Sequence, residues 1–180
     1  MARTVGVLSL QGGFEAHARI LVSLGAQVRE VRVPAQLAGL DALVLPGGES
    51  TTMMLGLARE GLEDPLREFA ATGAPILATC AGMIILDRAH LGILDLLAER
   101  NAFGRQPRSF EADLDIRGLS GGSLRGVFIR APWIVEPGPR VELLAEYEMR
   151  AVAARQQAIV AVAFHPELAG ETRLHAQLLG

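Results

Sequence analysis

The chain has 180 residues, of which 50% are hydrophobic and 21% are charged, and its formal net charge at pH 7 is −3. This length and composition fit one globular domain over residues 1–180, with enough chain to bury a sizeable core. The weakly acidic balance gives no basic footprint for nucleic acid, so we expect no nucleic-acid partner.

Features that report on the compartment are consistent with a cytoplasmic protein. The apolar stretch at residues 5–10 is shorter than the core of a signal peptide. No apolar run approaches the roughly 20 residues of a membrane span, so we expect no membrane partner. Cys80 is the only cysteine, which rules out an internal disulfide and fits a reducing compartment.

Short apolar segments alternate with amphipathic ones in the first half of the chain. Strands are predicted at residues 5–10, 27–33, 41–45 and 75–79, and helices at residues 14–24, 49–60, 62–72 and from 83 onward, with a helical turn at 35–40. Ser50 or Thr51 is expected near the start of the second helix as its cap. Because nearly all-apolar strands alternate with helices, we predict an α/β fold with a mostly parallel central sheet and helices on both faces.

The second half of the chain has a different pattern, in which turns separate extended segments. Extended segments are predicted at residues 94–100, 109–116, 126–129, 142–146, 149–155 and 159–164, and a closing helix at 172–179. Turns are predicted at Gly104, at residues 118–123 and at Pro137-Gly138. Hairpins are therefore favoured here, and we expect extra antiparallel strands.

Three predicted parallel strands end in turns that carry small or polar residues. These turns lie at residues 11–13, 47–50 and 79–82. Ligands of parallel α/β sheets bind at the carboxyl ends of the strands. If these strands are parallel, the three turns share one edge of the sheet and form the expected site.

Cys80 lies at the sharpest of these turns, between an apolar strand and an apolar helix. A thiol on such a turn stands clear of the backbone, and the N–H groups at a helix start favour the thiolate. A lone cysteine also serves commonly as a small buried hydrophobe. The turn alone leaves both readings open, and a nucleophile requires a base nearby.

The histidines differ in their surroundings. His17 lies on the apolar face of the first helix, which favours a structural role, while His90 and His175 are expected to be solvated. His165 follows an apolar strand, and Glu167 stands two residues on, where it points the same way in an extended chain. Nucleophile, base and orienting carboxylate are the parts of a catalytic triad. No His or Cys pairs with His165 at metal-ligand spacing, so no metal is expected.

An acyl-transfer site also needs donors for an oxyanion. Gly47 and Gly48 lack a Cβ and can bring backbone N–H groups close to a ligand, and the N–H of Ala81 at the helix start is a second donor. A plain loop is the alternative for residues 46–48. The loop has no following Lys-Ser/Thr and is not a phosphate loop.

Taken together, these motifs resemble a known family. Pro-Gly-Gly-Glu-Ser-Thr-Thr at residues 46–52, Thr-Cys-Ala-Gly at 79–82 and His-Pro-Glu at 165–167 resemble the triad glutamine amidotransferases. Nearly the whole chain is similar to the glutaminase subunits of pyridoxal 5′-phosphate synthase. The narrower resemblance rests on Leu-Ser-Leu-Gln-Gly at 8–12, Glu-Arg-Asn-Ala-Phe-Gly-Arg-Gln at 99–106, Ser-Phe-Glu-Ala-Asp at 109–113 and Gly-Val-Phe-Ile-Arg-Ala-Pro at 126–132.

The resemblance implies a fold and a reaction. The fold would be the flavodoxin-like three-layer sheet of class I glutamine amidotransferases. Cys80 would attack the amide of L-glutamine to form a γ-glutamyl thioester, while His165 shuttles the proton and Glu167 orients it. Hydrolysis would give L-glutamate and ammonia. The ammonia would pass to a (β/α)₈ synthase subunit in a large hetero-oligomer, and no cofactor is implied for the glutaminase.

The resemblance also implies which other residues meet the substrate. Gln11 would complete the oxyanion hole once the partner docks. The remaining implied contacts are Gly47, Gly48, Glu49, Arg100, Ile129 and Arg130 for glutamine, and Gly48 and Ala81 for the oxyanion.

Two departures from the family pattern affect expectations. Ala78 stands where relatives commonly carry Gly, and the segment at residues 87–91 is shorter than the usual loop. Three other functions stay open at this point: the glutaminase subunit of another amidotransferase, a non-catalytic regulatory partner of the synthase, and a cysteine peptidase on the same fold. An intact triad argues against the regulatory role, and a peptidase has no need for Arg100 and Arg130.

Overall fold

A computed structural model describes residues 1–100 and 109–180 of the chain. Residues 101–108, which hold most of the Arg-Asn-Ala-Phe-Gly-Arg-Gln stretch and the predicted turn at Gly104, lie outside the described residues. The strands are β1 (Thr4–Leu8), β2 (Gln27–Val31), β3 (Ala42–Leu45), β4 (Ile76–Thr79), β5 (Leu96–Glu99), β6 (Phe110–Leu114), β7 (Leu124–Phe128), β8 (Trp133–Pro137), β9 (Glu142–Tyr147), β10 (Arg150–Gln156) and β11 (Ile159–Val162). The α-helices are α1 (Phe14–Ser23), α2 (Ser50–Glu60), α3 (Glu63–Ala71), α4 (Ala81–Leu86) and α5 (Arg173–Ala176), and 3₁₀ turns lie at Pro34–Leu37 and Pro166–Ala169.

Parallel strands form the centre of the main sheet. They run in the order β2-β1-β3-β4-β11, with every neighbouring pair parallel. All residues of β3, β4 and β11 are buried. Because successive side chains of a strand point to opposite faces, full burial requires that both faces of the sheet are covered. The predicted α/β class with a mostly parallel, helix-covered sheet is confirmed.

The antiparallel part continues the same sheet from β11. Strand β10 pairs antiparallel with β11, β9 and β8, and β8 pairs with β5. Strands β6 and β7 form a separate two-stranded sheet, whose ladder pairs Phe110 with Phe128. The predicted hairpins of the second half are therefore confirmed. Within residues 1–100 and 109–180, no helix has the length and apolar character needed to cross a membrane.

Strand β8 is absent from the predicted elements. Only Ile134 of this strand is buried, Val135 to Pro137 are exposed, and its register with β10 joins a single pair of residues. Prolines stand at its end and just before it, and proline lacks the N–H that a strand ladder needs. The segment is a strand because β5 pairs along it, which its own sequence does not indicate.

The two departures from the family pattern occupy well-packed positions. Ala78 is fully buried in β4, where it pairs with Leu45 of β3 and Ala161 of β11. In the short segment after α4, the buried Asp87 carboxylate accepts hydrogen bonds from the backbone N–H groups of residues 89, 90 and 98. His90 is exposed in this segment, as predicted, and its ring lies 2.7 Å from the Asp87 carboxylate.

Candidate active site

A pocket of about 460 Å³ opens at the carboxyl edge of the parallel strands. The turns that follow β1, β3 and β4 and the segments that follow β7 and β11 all reach it. The sequence-predicted residues that line it are Gln11, Gly47, Gly48, Glu49, Cys80, Ala81, Arg100, Ile129, Arg130 and His165. Glu167 lies behind His165, so the fold brings the predicted set to one place.

Cys80 joins β4 directly to α4 with a strained backbone. Its φ is 49° and its ψ is −109°, and a non-glycine residue in such a region costs on the order of 1–3 kcal/mol. The Cys80 N–H donates to the Val162 carbonyl at 2.8 Å, which ties the turn to β11. The helix begins at Ala81, two residues before the predicted start, because Cys80 alone makes the turn.

Gly82 allows this turn to sit tightly against the sheet. A Cβ added at Gly82 would overlap the backbone carbonyl oxygen of Leu45, at the end of β3. The start of α4 can therefore lie directly on the neighbouring strand end. This close approach places the Cys80 side chain in the pocket with only 6% of the residue exposed.

His165 follows β11 and is fixed by its backbone and its ring. Its N–H donates to the Val127 carbonyl at 2.8 Å, and its Nδ1 lies 2.7 Å from Oε1 of Glu167. A Cβ added at Gly47 would overlap the His165 ring and lie 3.2 Å from the Cβ of Cys80. Gly47 is thus packed against both the thiol-bearing residue and the imidazole.

The electrostatics of this cluster favour a protonated His165. Burial lowers the pKa of His165, but the Cys80 side chain and the Glu167 carboxylate outweigh burial and raise this pKa to about 10. Burial also raises the pKa of Glu167, but the hydrogen bond from His165 and the charge interactions with His17 and His165 together outweigh burial, so that the net pKa lies below the usual value. The arrangement can hold an imidazolium beside an anion.

The turns after β1 and β3 are bound to each other. Gly13 N–H donates to the Gly47 carbonyl at 3.0 Å, and Glu49 N–H donates to Oε1 of Gln11 at 2.8 Å. A peptide group is planar and trans, so the N–H of Gly48 points away from Gly13. Gly12 has a φ of 95°, and a Cβ there would overlap the Gly47 carbonyl oxygen, so this close contact requires glycine.

Glu49 caps helix α2 and pairs with Arg100. Its carboxylate accepts from the N–H groups of Thr51 and Thr52 at 3.1 and 2.7 Å, and lies 2.9 Å from a guanidinium nitrogen of Arg100. The predicted cap at Ser50 or Thr51 is therefore wrong, since Glu49 is the N-cap residue. Hydrogen bonds from Thr52 and Thr51 lower the pKa of Glu49 to about 2, which keeps it anionic.

Ile129 and Arg130 close the opposite side of the pocket. The Ile129 carbonyl lies 3.9 Å from the Cys80 sulfur. Arg130 has a φ of 46°, another strained non-glycine position. Unlike Arg100, Arg130 forms no ion pair with any residue of the two described ranges.

Sequence reasoning missed the contact between two histidines that lie behind Glu167. His175 is fully buried, so its predicted solvation is wrong, and its Nε2 lies 2.7 Å from Nδ1 of His17. His17 is buried as expected, and its Nε2 lies 3.4 Å from Oε2 of Glu167 and 3.3 Å from the Thr79 hydroxyl. Residues this far apart in sequence carry no local signal of their contact.

Comparison with known proteins decides the family. The model of the SNO glutamine amidotransferase family matches residues 7–179. The chain belongs to this family. Two relatives named pyridoxal 5′-phosphate synthase subunit PdxT are about half identical to it. The one from Geobacillus kaustophilus is 52% identical over 177 residues, covering 94% of this chain and 90% of the relative. The one from Deinococcus radiodurans is 51% identical over 189 residues, covering 98% and 96%.

Solved structures agree with this family assignment. A crystal structure described as a glutamine amidotransferase superposes with a TM-score of 0.90 at 45% identity, covering 97% of this chain and 96% of that one. A structure of PurLQS from Thermotoga maritima superposes with a TM-score of 0.82 at 18% identity, covering 99% and 97%, which supports the fold alone. The resemblance to the glutamine amidotransferases is therefore confirmed over nearly the whole chain, from residue 7 to residue 179.

Proposed function

We propose that this glutaminase splits L-glutamine with Cys80 as its nucleophile and supplies the ammonia to the synthase subunit of pyridoxal 5′-phosphate synthase. The single observation that carries the site assignment is the packing of Cys80, His165 and Glu167 at one strand edge, with His165 bound to Glu167 at 2.7 Å. Residues 1–180 act as one glutaminase domain in this proposal.

The first half-reaction forms a thioester. The Cys80 thiolate attacks the carbonyl carbon of the glutamine side-chain amide, and the carbonyl becomes an oxyanion. Because Nδ1 of His165 is bound to Glu167, Nε2 is the nitrogen that donates a proton to the leaving nitrogen. The C–N bond then breaks, ammonia leaves, and the γ-glutamyl group stays on the sulfur.

The second half-reaction returns the enzyme to its starting state. His165, now neutral, takes a proton from a water molecule that attacks the thioester carbon. The C–S bond breaks, L-glutamate leaves, and the proton on His165 and the thiolate form the ion pair again. Glu167 remains ionised throughout, which is why its pKa must stay low.

The oxyanion of both steps is bound by backbone donors. The N–H groups of Gly48 and Ala81 are the two candidates that line the pocket. Gln11 is bonded to the N–H of Glu49, so it holds the residue next to Gly48. A partner that contacts the turn of Gln11 can therefore shift the N–H of Gly48 in the oxyanion hole. This motivates the proposal that docking of the synthase completes the oxyanion hole.

Glutamine is held by the two charged sides of the pocket. Arg130 and Arg100 both line the pocket, and their guanidinium groups are donors for the α-carboxylate. Glu49 is anionic and offers acceptors for the α-ammonium group. Ile129 contributes its backbone beside Cys80. A clamp for both charged groups of a free amino acid favours a glutaminase over a peptidase.

The partner is proposed from the names of the relatives. PdxT proteins are subunits of pyridoxal 5′-phosphate synthase, so this chain would join a (β/α)₈ synthase subunit in a large hetero-oligomer, and would do so in the cytoplasm. The pocket opens at the sheet edge, where a docked subunit can collect ammonia directly.

An ammonia-release assay tests the proposal. The chain with its synthase subunit is expected to convert glutamine to equal amounts of glutamate and ammonia. Cys80→Ala should abolish turnover while the complex still assembles, as measured by sedimentation. Turnover retained by a folded Cys80→Ala chain would overturn the assignment, and equal activity with and without the synthase would overturn the role of docking.

A further inference from the structure

A chain of buried polar groups continues the triad away from the pocket. Glu167 presents Oε1 to His165, but its buried Oε2 has no hydrogen-bond partner among the described residues. Nε2 of His17 lies 3.4 Å from Oε2. His17 and His175 are both fully buried and lie 2.7 Å apart through Nδ1 and Nε2. Most buried polar side-chain atoms have a hydrogen-bond partner, so the unpartnered Oε2 requires an explanation.

The protons of this chain can be arranged in two ways. In one, His175 donates from Nε2 to Nδ1 of His17, and His17 directs its own Nε2–H at Oε2 of Glu167. In the other, His175 donates from Nδ1 toward the Glu171 backbone, His17 donates from Nδ1 to His175, and the Thr79 hydroxyl donates to Nε2 of His17.

The charge on Glu167 decides between the two arrangements. Glu167 is ionised, and the second arrangement sets a bare ring nitrogen against a buried, unpaired carboxylate oxygen. A buried carboxylate oxygen that is left without a hydrogen-bond donor is destabilising. The first arrangement supplies an N–H dipole to that oxygen and leaves the unprotonated Nδ1 of His175 facing the Glu171 backbone.

We propose that His17 is a positioning residue of the glutaminase reaction, whose neutral ring places an Nε2–H dipole 3.4 Å from Oε2 of Glu167 and so holds the other carboxylate oxygen on His165. His175 fixes the tautomer of His17 from behind. This inference rests on the proposed roles of Cys80, His165 and Glu167, and it assigns His17 no contact with substrate.

A neutral ring suits this position better than a cation. Burial lowers the pKa of His17 and of His175 to about 4, so both rings are uncharged at neutral pH. The groups that face His17 are Glu167, His165, His175 and Thr79. A cation here would compete with the His165 imidazolium for the charge of Glu167, whereas an N–H dipole orients the carboxylate and leaves its charge to His165.

A matched pair of substitutions tests the proposal in the complex with the synthase subunit. His17→Gln keeps a donor near the position of Nε2, and His17→Met has similar length without a donor. We expect His17→Met to lower kcat about tenfold, which is the range for leaving one buried charged group unpaired, with KM for glutamine changed less than twofold. The alkaline limb of the pH profile of His17→Met should also move to lower pH. His17→Gln should restore most of kcat and most of the original position of the alkaline limb.

Two controls separate this role from folding and from the proposed function. His90 is bonded to Asp87 at 2.7 Å and is not among the residues that line the pocket, and His90→Met is expected to leave kcat and the pH profile unchanged. Equal impairment of His17→Gln and His17→Met with an unmoved alkaline limb, or full activity of both, would overturn the positioning role. Turnover retained by Cys80→Ala would instead overturn the site assignment itself.

Nitrogen-15 NMR of the histidine rings tests the same inference on the unmodified full chain. The proposal predicts that neutral His17 carries its proton on Nε2 and accepts at Nδ1. A His17 ring protonated on Nδ1 would overturn the proposal. This measurement remains decisive if His17→Met does not fold, because it needs no substitution.

Discussion

Nδ1 of His165 lies 2.7 Å from Oε1 of Glu167, two residues further along the chain, and the carboxylate side chain is only 2% exposed. The pairing is local, since both residues belong to the turn after β11. Its effect reaches across the pocket, because Glu167 and the Cys80 side chain together raise the pKa of His165 to about 10 against the opposing effect of burial. The imidazolium is therefore available as an acid at neutral pH.

Removal of the charge on Glu167 should shift the pH dependence of the reaction. A raised pKa keeps His165 protonated until the pH approaches that value, so activity falls as pH rises through it. Glu167→Gln keeps a hydrogen-bond acceptor but removes the charge, and the alkaline limb of kcat/KM should move down by about one pH unit or more, with kcat lowered about 10- to 100-fold. A pH–rate series with the synthase present measures both.

The exposed Glu136, which pairs with Arg88, offers a matched control. Glu136→Gln is expected to leave the pH profile unchanged. If Glu167→Gln also left the alkaline limb in place, the carboxylate would not act on His165 as described.

A methyl group at position 47 should block the site without unfolding the chain. The Cβ of Gly47→Ala would overlap the His165 ring, so the ring must move away from Cys80. We expect turnover to fall about 100-fold, since misplacement of a reacting group by about 1 Å has effects of this size. Gly56→Ala on helix α2 is the control, because its Cβ would meet only the Leu10 side chain, at 3.3 Å. Comparable activity of the two variants would contradict this packing argument.

Acid should destabilise the protein through the buried imidazoles. The pKa of His17 and of His175 falls from 6.5 to about 4 on folding. Between pH 4 and pH 6.5 the unfolded chain therefore binds more protons than the folded chain does. The free energy of unfolding therefore decreases as pH falls from about 6.5 to about 4, by on the order of 3 kcal/mol for each ring at most.

Urea denaturation across this pH range measures the slope. His17→Gln should flatten it relative to the unmodified chain, whatever its stability at pH 7. An unchanged slope would mean that His17 is not buried as a neutral ring.

The sequence predicts the parallel strands and their turns because strands that are buried on both faces are recognisable as short, nearly continuous apolar runs. Strands β3 and β11 are apolar at every position and β4 is apolar except at Thr79, and the glycine and cysteine turns follow β3 and β4. The candidate site follows from that topology, since parallel strands bring their carboxyl ends together. His165 and Glu167 are neighbours in sequence, so their pairing is also predictable.

Other features depend on contacts that no local pattern records. Strand β8 forms because β5 pairs with it, although prolines interrupt its sequence. His175 is buried because the chain end folds back onto α1, 158 residues away from His17. Glu49 replaces the expected cap because its longer side chain reaches the N–H groups of Thr51 and Thr52 from the turn.

The central claim is that Cys80 is the nucleophile of the glutaminase, and covalent labelling tests it most directly. A glutamine analogue with a diazoketone in place of the amide would lose nitrogen on attack by the Cys80 thiolate and leave a stable thioether. Peptide mass spectrometry should find the label on Cys80 in step with the loss of ammonia release, and excess glutamine should slow both. Loss of activity with Cys80 unlabelled, or full labelling of Cys80 with activity intact, would contradict the account.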